Sequence, residues 1–214
     1  DGSIVAIGAP HNDGNGTNSG HVRIYRNIND TWTQIGSDID GEAAGDNSSN
    51  TVSPSISLSS DGYVLAVGGF LNDGNGTDSG HVRIYQNIND TWTQIGSDID
   101  GEAAGDWLGE CISLSSDGSI IAIGAYKNDG NGNDSGHVQV YQNINDTWTK
   151  ISTDIDGEKT NDISGDSVSL SSDGSIVAIG APWNDNNGTS SGHVRVFLLK
   201  NDINDVLEST TKDD

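Results

Sequence analysis

The chain has one cysteine, no methionine, three prolines and nine basic residues among 214. A lone Cys111 rules out an internal disulfide. It lies in the alternating run Cys111-Ile112-Ser113-Leu114, which reads as a small strand residue rather than a reactive thiol. No segment approaches the roughly 20 apolar residues of a membrane helix. Basic residues are too few to grip phosphates, and a net charge of −23 repels nucleic acid and anionic lipid surfaces. That charge leaves divalent cations and basic partners open. Helical periodicity, a phosphate-cradling glycine loop and a nucleophile–base pair are all missing.

What is present is repetition. Apolar runs begin at Ser3, Tyr63, Ser119 and Ser175, and Gly-His-Val runs at Gly20, Gly80, Gly136 and Gly192. The two series share one register. A unit of this length cannot bury its apolar face alone and must stack on its neighbours. Apolar residues form 32% of the chain but are gathered in short periodic runs, so the chain folds.

The fourth copy shows the unit. Ser167 to Ser171 alternates as a half-buried strand does. Asp173-Gly174 signals a hairpin, because glycine tolerates positive φ. Ile176-Val177-Ala178-Ile179 reads as an interior strand buried on both faces. His193 to Phe197 alternates again after a polar loop. The outer strand is clearest at Thr31-Trp32-Thr33-Gln34-Ile35, after the turn Asn27–Asp30, and Trp92 and Trp148 repeat it. These tryptophans read as packing between repeats. Four strands per copy in antiparallel sheets predict an all-β protein, a β-propeller of four four-stranded blades. The repeats fall at about 1–46, 47–106, 107–162 and 163–197, in a single domain 1–197 with a tail 198–214.

Gly8-Ala9-Pro10 and Gly180-Ala181-Pro182, Leu108-Gly109, and the strand beginning at Gly20, Gly80, Gly136 and Gly192 together resemble the FG-GAP repeat of integrin-α-type β-propellers, in its shorter non-integrin branch. The first element becomes Gly68-Gly69-Phe70 and Gly124-Ala125-Tyr126. The Leu108-Gly109 element weakens at Ile163-Ser164-Gly165 and is lost within 47–54, where residues are inserted. The resemblance implies propeller blades, calcium loops in many relatives, and extracellular adhesion or recognition. The loop that carries calcium in such relatives is here only Ser-Ser-Asp-Gly, too short for the about six to eight oxygens calcium takes.

Two other segments offer hard oxygen ligands for Ca2+. One is the polar loop containing Asp13, Asp73, Asp129 and Asp185. The other is the Asp-Ile-Asp-Gly-Glu run, with Asp38, Asp40 and Glu42 and then Asp46, repeated from Asp98, with Asp100, and from Asp154. Asn, Asp and Gly are also what turns use, so solvated turns compete with this reading. His21, His81, His137 and His193 recur once per copy and read as local backbone partners at strand starts. Eight Asn-x-Ser/Thr motifs, at Asn15, Asn29, Asn47, Asn75, Asn89, Asn133, Asn145 and Asn187, predict N-glycosylation in a secretory pathway.

The first copy lacks its first strand, because the chain starts inside a repeat, as a processed or trimmed product would. The tail piece around Val206 and Leu207 either supplies an outer strand to the last copy or fills the missing slot. An unfilled slot invites strand addition. The expectation is a non-enzymatic extracellular or cell-surface structural protein that self-associates head-to-tail into a fibre or surface layer. The rival is an adhesion or recognition propeller that binds protein or glycan through its repeated polar loops, with or without calcium.

Overall fold

Hairpin geometry sets the local structure. The computed structural model describes residues 2–46, 56–199 and 208–210. At Ser59, the backbone NH donates to Val64 O at 2.9 Å, while Asp61 Oδ1 accepts from Tyr63 N at 3.0 Å and Gly62 takes φ +73. The same turn recurs at Gly118 and Gly174. At Asn29-Asp30, both residues have positive φ, 51° and 64°, the signature of a two-residue turn that matches strand twist. The long strand therefore runs on to Ile28, and the turn is shorter than Asn27–Asp30.

Four antiparallel sheets result among the described residues. The first holds β1 (Ile4–Ala9), β2 (His21–Ile28), β3 (Thr31–Gln34) and β4 (Ile39–Asp40). The second holds β5 (Ile56–Leu58), β6 (Val64–Gly69), β7 (His81–Ile88), β8 (Thr91–Gln94) and β9 (Ile99–Asp100). The third holds β10 (Cys111–Leu114), β11 (Ile120–Ala125), β12 (His137–Ile144), β13 (Thr147–Lys150) and β14 (Ile155–Asp156). The fourth holds β15 (Ser167–Leu170), β16 (Ile176–Ala181), β17 (His193–Leu198) and β18 (Glu208–Thr210). No described residue is helical, so no helix there is long and apolar enough to cross a membrane.

The two-residue strands β4, β9 and β14 were not foreseen. Each lies beside the start of the long strand, as in the pairs His21↔Asp40 and His81↔Asp100. Two residues are too short to show alternation, so nothing in the pattern marks them. β18 pairs with β17 through Leu198↔Glu208 and Val196↔Thr210. The described part of the tail thus completes its own sheet as an outer strand. Val206 and Leu207, the expected assembly residues, lie outside the described residues.

Each consecutive pair of sheets shares one core. Val22 and Ile24 of the first sheet pack with Leu65 and Val67 of the second. Val82 and Ile84 meet Ile121 and Ile123 of the third, and Val138 and Val140 meet Val177 and Ile179 of the fourth. Trp92 and Trp148 donate from Nε1 to Ile35 O and Ile95 O of the preceding repeat, both at 3.1 Å. They are the inter-repeat packing residues predicted. The two outermost faces have no such partner among the described residues. Val194 is 65% exposed although its repeat equivalents Val22, Val82 and Val138 are at 1% or less, and Ile7 is 51% exposed against 0% for Ile123.

Position within the stack, not residue type, should therefore set mutational cost. Val138→Ala is expected to cost about 1–3 kcal/mol, and Val194→Ala within about 0.5 kcal/mol, by urea unfolding. Equal costs would contradict the stacking described.

Candidate functional site: a repeated histidine–carboxylate cluster

The long strands β2, β7 and β12 each begin with a buried histidine, and β17 begins with the half-buried His193. Beside each buried one, the short strand brings in an aspartate that follows the histidine at constant spacing: Asp38, Asp98 or Asp154. The segment after the short strand then crosses to the next repeat and carries a glutamate with it. Three groups form: His21, Asp38 and Asp40; Glu42, His81 and Asp98; Glu102, His137 and Asp154. Their ligand atoms lie within 4.8 Å of one another, so these clusters could hold a metal.

In the second cluster, His81 Nδ1 lies 3.8 Å from Glu42 Oε2 and 3.6 Å from Asp98 Oδ2. Both contacts are longer than a hydrogen bond. Burial, and then the nearby Arg83 charge, push the His81 pKa below its ordinary value, so the ring is neutral. In the first cluster, Arg23 forks onto Asp38 at 2.8–3.0 Å and Gln34 adds a bond at 2.8 Å. The Arg23 bonds hold the Asp38 carboxyl at about 2. The fourth repeat keeps half the arrangement, with His193 Nδ1 3.9 Å from Glu158.

Each cluster carries one protein cation, and its source changes. Arg83 lies 3.5 Å from Glu42 in the second cluster, where Gln94 bonds Asp98. In the third, Gln139 stands where Arg83 does and bonds Glu102 at 2.8 Å. Lys150 stands where Gln94 does and reaches Glu102 at 3.3 Å and Asp154 as well. The two exchanges offset, so the local charge balance is kept. The loss of arginine from this row, visible in the sequence, is not a loss of charge.

The predicted metal residues separate. Asp38, Asp40 and Asp98 fall in clusters, while Asp100 belongs to none among the described residues. Asp13, Asp73, Asp129 and Asp185 are turn acceptors. Their Oδ1 atoms receive the backbone NH of Asn18, Asp78, Asp134 and Ser190 at 2.6–2.8 Å. Those loops bond to themselves and gather no ligand set among the described residues. Sequence reasoning named the acidic run that supplies Glu42, Glu102 and Asp154 but missed His21, His81 and His137 as candidate ligands. It read each histidine within its own repeat, whereas the glutamate comes from the one before.

One other place breaks the repeat. Trp107, at φ 57, sits between Phe70 and Tyr126 at centroid distances of 5.6 and 5.8 Å, with Lys127 Nζ 3.8 Å above its ring. Phe70 and Tyr126 occupy the positions of Pro10 and Pro182, so this aromatic brace belongs to the two middle repeats. Burial also raises the nearby Glu110 carboxyl above its usual range.

Several solved structures share the fold. A protein described as a candidate 6-phosphogluconolactonase from Bacteroides uniformis aligns with a TM-score of 0.55 and 16% identity, over 88% of this chain and 50% of that one. The periplasmic gluconolactonase of Pseudomonas aeruginosa aligns at 0.50 and 17%, over 91% and 49%. The tricorn protease aligns at 0.50 and 11%, over 92% and 17%. The chain thus spans half or less of each. At such identities the likeness shows the fold alone, a β-propeller. No curated protein matches the chain in sequence.

These findings correct one expectation. A non-enzymatic fibre or surface-layer subunit built by strand donation does not stand: the lactonase-named neighbours share its fold, and the described tail strand pairs within its own sheet.

Acid should loosen the clusters in two stages. His81 and Asp38 both have depressed pKa values in the folded state, so the stability they contribute is present at neutral pH and is lost as pH falls. His81 acts below about 6.5 and Asp38 from about 4 downward. The urea midpoint between pH 7 and 2 should show both declines. His81→Asn should flatten the upper one and Asp38→Asn the lower; unchanged profiles would contradict the assignment.

The FG-GAP repeat model matches residues 98–141 and 152–197. Over those residues the chain resembles FG-GAP repeat proteins, and the four copies of its pattern share one register.

Proposed function

We propose that the four sheets are four blades of a propeller arc and that the arc binds divalent cations between consecutive repeats. Each cation would clip one blade to the next. The observation that carries this reading is His81. Its neutral, buried imidazole faces a carboxylate of its own repeat at 3.6 Å and one of the preceding repeat at 3.8 Å. Two ligands about 2.0–2.2 Å from one tetrahedral metal lie roughly 3.3–3.6 Å apart. The side chains stand near ligand spacing and beyond hydrogen-bond spacing. The same three residue types meet again at Glu102, His137 and Asp154.

The donor set favours a zinc-class cation over calcium. Calcium takes oxygen ligands, whereas imidazole suits zinc and its neighbours. Binding must displace a resident cation, Arg83 in one cluster and Lys150 in the other. This predicts modest affinity that improves when the competitor is removed.

Isothermal titration of the purified chain with Zn2+ and with Ca2+ tests the reading. Saturable Zn2+ binding is expected, with Ca2+ weaker. Zinc at a hundred times its dissociation constant should raise stability by about 2.7 kcal/mol. Lys150→Met should tighten binding. Glu42→Gln with Glu102→Gln should abolish it while the strand circular dichroism is kept. Zinc binding undiminished in that double variant would refute the site.

A further inference from the structure

The fold sorts five of the eight glycosylation motifs, and Asn47 lies outside the described residues. Asn29, Asn89 and Asn145 each open the two-residue turn at the end of a long strand, with φ of 51°, 52° and 54°. All three are exposed, and none makes a side-chain hydrogen bond among the described residues. Ile28, Ile88 and Ile144 beside them are also about half exposed, while the second turn residues Asp90 and Asp146 make the contact with the preceding repeat, at Gly36 and Gly96. A substituent on the asparagine amide there meets solvent.

Asn15 and Asn75 carry the same motif in a different setting. The Asn15 amide nitrogen donates to Gly41 O at 2.8 Å and to Glu42 O at 3.2 Å. Asn75 does the same to Gly101 O and Glu102 O, at 2.8 and 3.2 Å. Both amide hydrogens are used. These bonds pin the polar loop to the segment that delivers Glu42 or Glu102 to the next repeat. A sugar on that nitrogen replaces one hydrogen and wedges the two segments apart.

We propose that this protein passes through a secretory pathway and carries N-linked glycans at Asn29, Asn89 and Asn145, with Asn15 and Asn75 left bare. The glycans then form a row along one rim of the arc. The strands β2, β7 and β12 each run from a histidine cluster at the start to a glycosylated tip at the end, about 23 Å away at roughly 3.3 Å per residue. One rim is coated and the other stays open to cations.

The test is secretion of the chain from a eukaryotic culture and release of glycans by peptide N-glycosidase in heavy-oxygen water. The enzyme leaves labelled aspartate at each occupied position, and peptide mass spectrometry reads it. Label is expected at 29, 89 and 145, and not at 15 or 75. Asn29→Gln, Asn89→Gln and Asn145→Gln combined should remove three glycans and leave zinc titration unchanged. Comparable label at Asn15 or Asn75 would overturn the proposal, as would folded secreted protein with bare tips.

Discussion

Consecutive sheets touch backbone to backbone at glycine, and the rest of the structure depends on that approach. A Cβ on Gly68 would lie 2.0 Å from Gly109 O, and one on Gly124 would lie 2.1 Å from Gly165 O. Gly109 and Gly165 have φ of +94, which side-chain residues rarely adopt. No side chain fits between the layers at these crossings. Gly80 and Gly136 are equally crowded by Leu108 O and Ser164 O. The segment joining two repeats is thereby fixed against both, and the glutamate it carries arrives beside the next histidine. In the last sheet, Gly180 meets only its own neighbour Ser167, because no further layer follows among the described residues.

This constraint explains why the clusters repeat and why they span repeats. A histidine at the start of a long strand is buried by the crossing segment, and its carboxylate partners come from two directions. Two carboxylates beside a neutral ring need positive charge nearby. Arg83 supplies it in one repeat and Lys150 in the next, from different strands. Charge balance within a small volume was kept while residue identity at each position was not.

Much of the architecture was legible in the sequence because side-chain alternation reports strands directly. The buried strands β6 and β11 read as continuous apolar runs, and the inter-repeat tryptophans were recognisable by recurrence. The Asp-Gly hairpins followed from glycine's tolerance of positive φ. The two-residue strands were not legible, since β9 has no period to detect. The cluster was only half legible. Asp98 was singled out, but Glu42 lies far from His81 along the chain and meets it only through packing. The Asp13-type residues misled because the oxygen atoms that make good cation ligands also make good turn acceptors. Composition alone does not separate the two uses.

Zinc-edge anomalous diffraction from crystals grown with Zn2+ tests the account most directly. The account predicts one peak between Glu42, His81 and Asp98 and a second between Glu102, His137 and Asp154, each joining two repeats. Zinc found only elsewhere, with Arg83 and Lys150 still bonded to their glutamates, would leave these clusters as ion-pair clasps and contradict the cation-binding role.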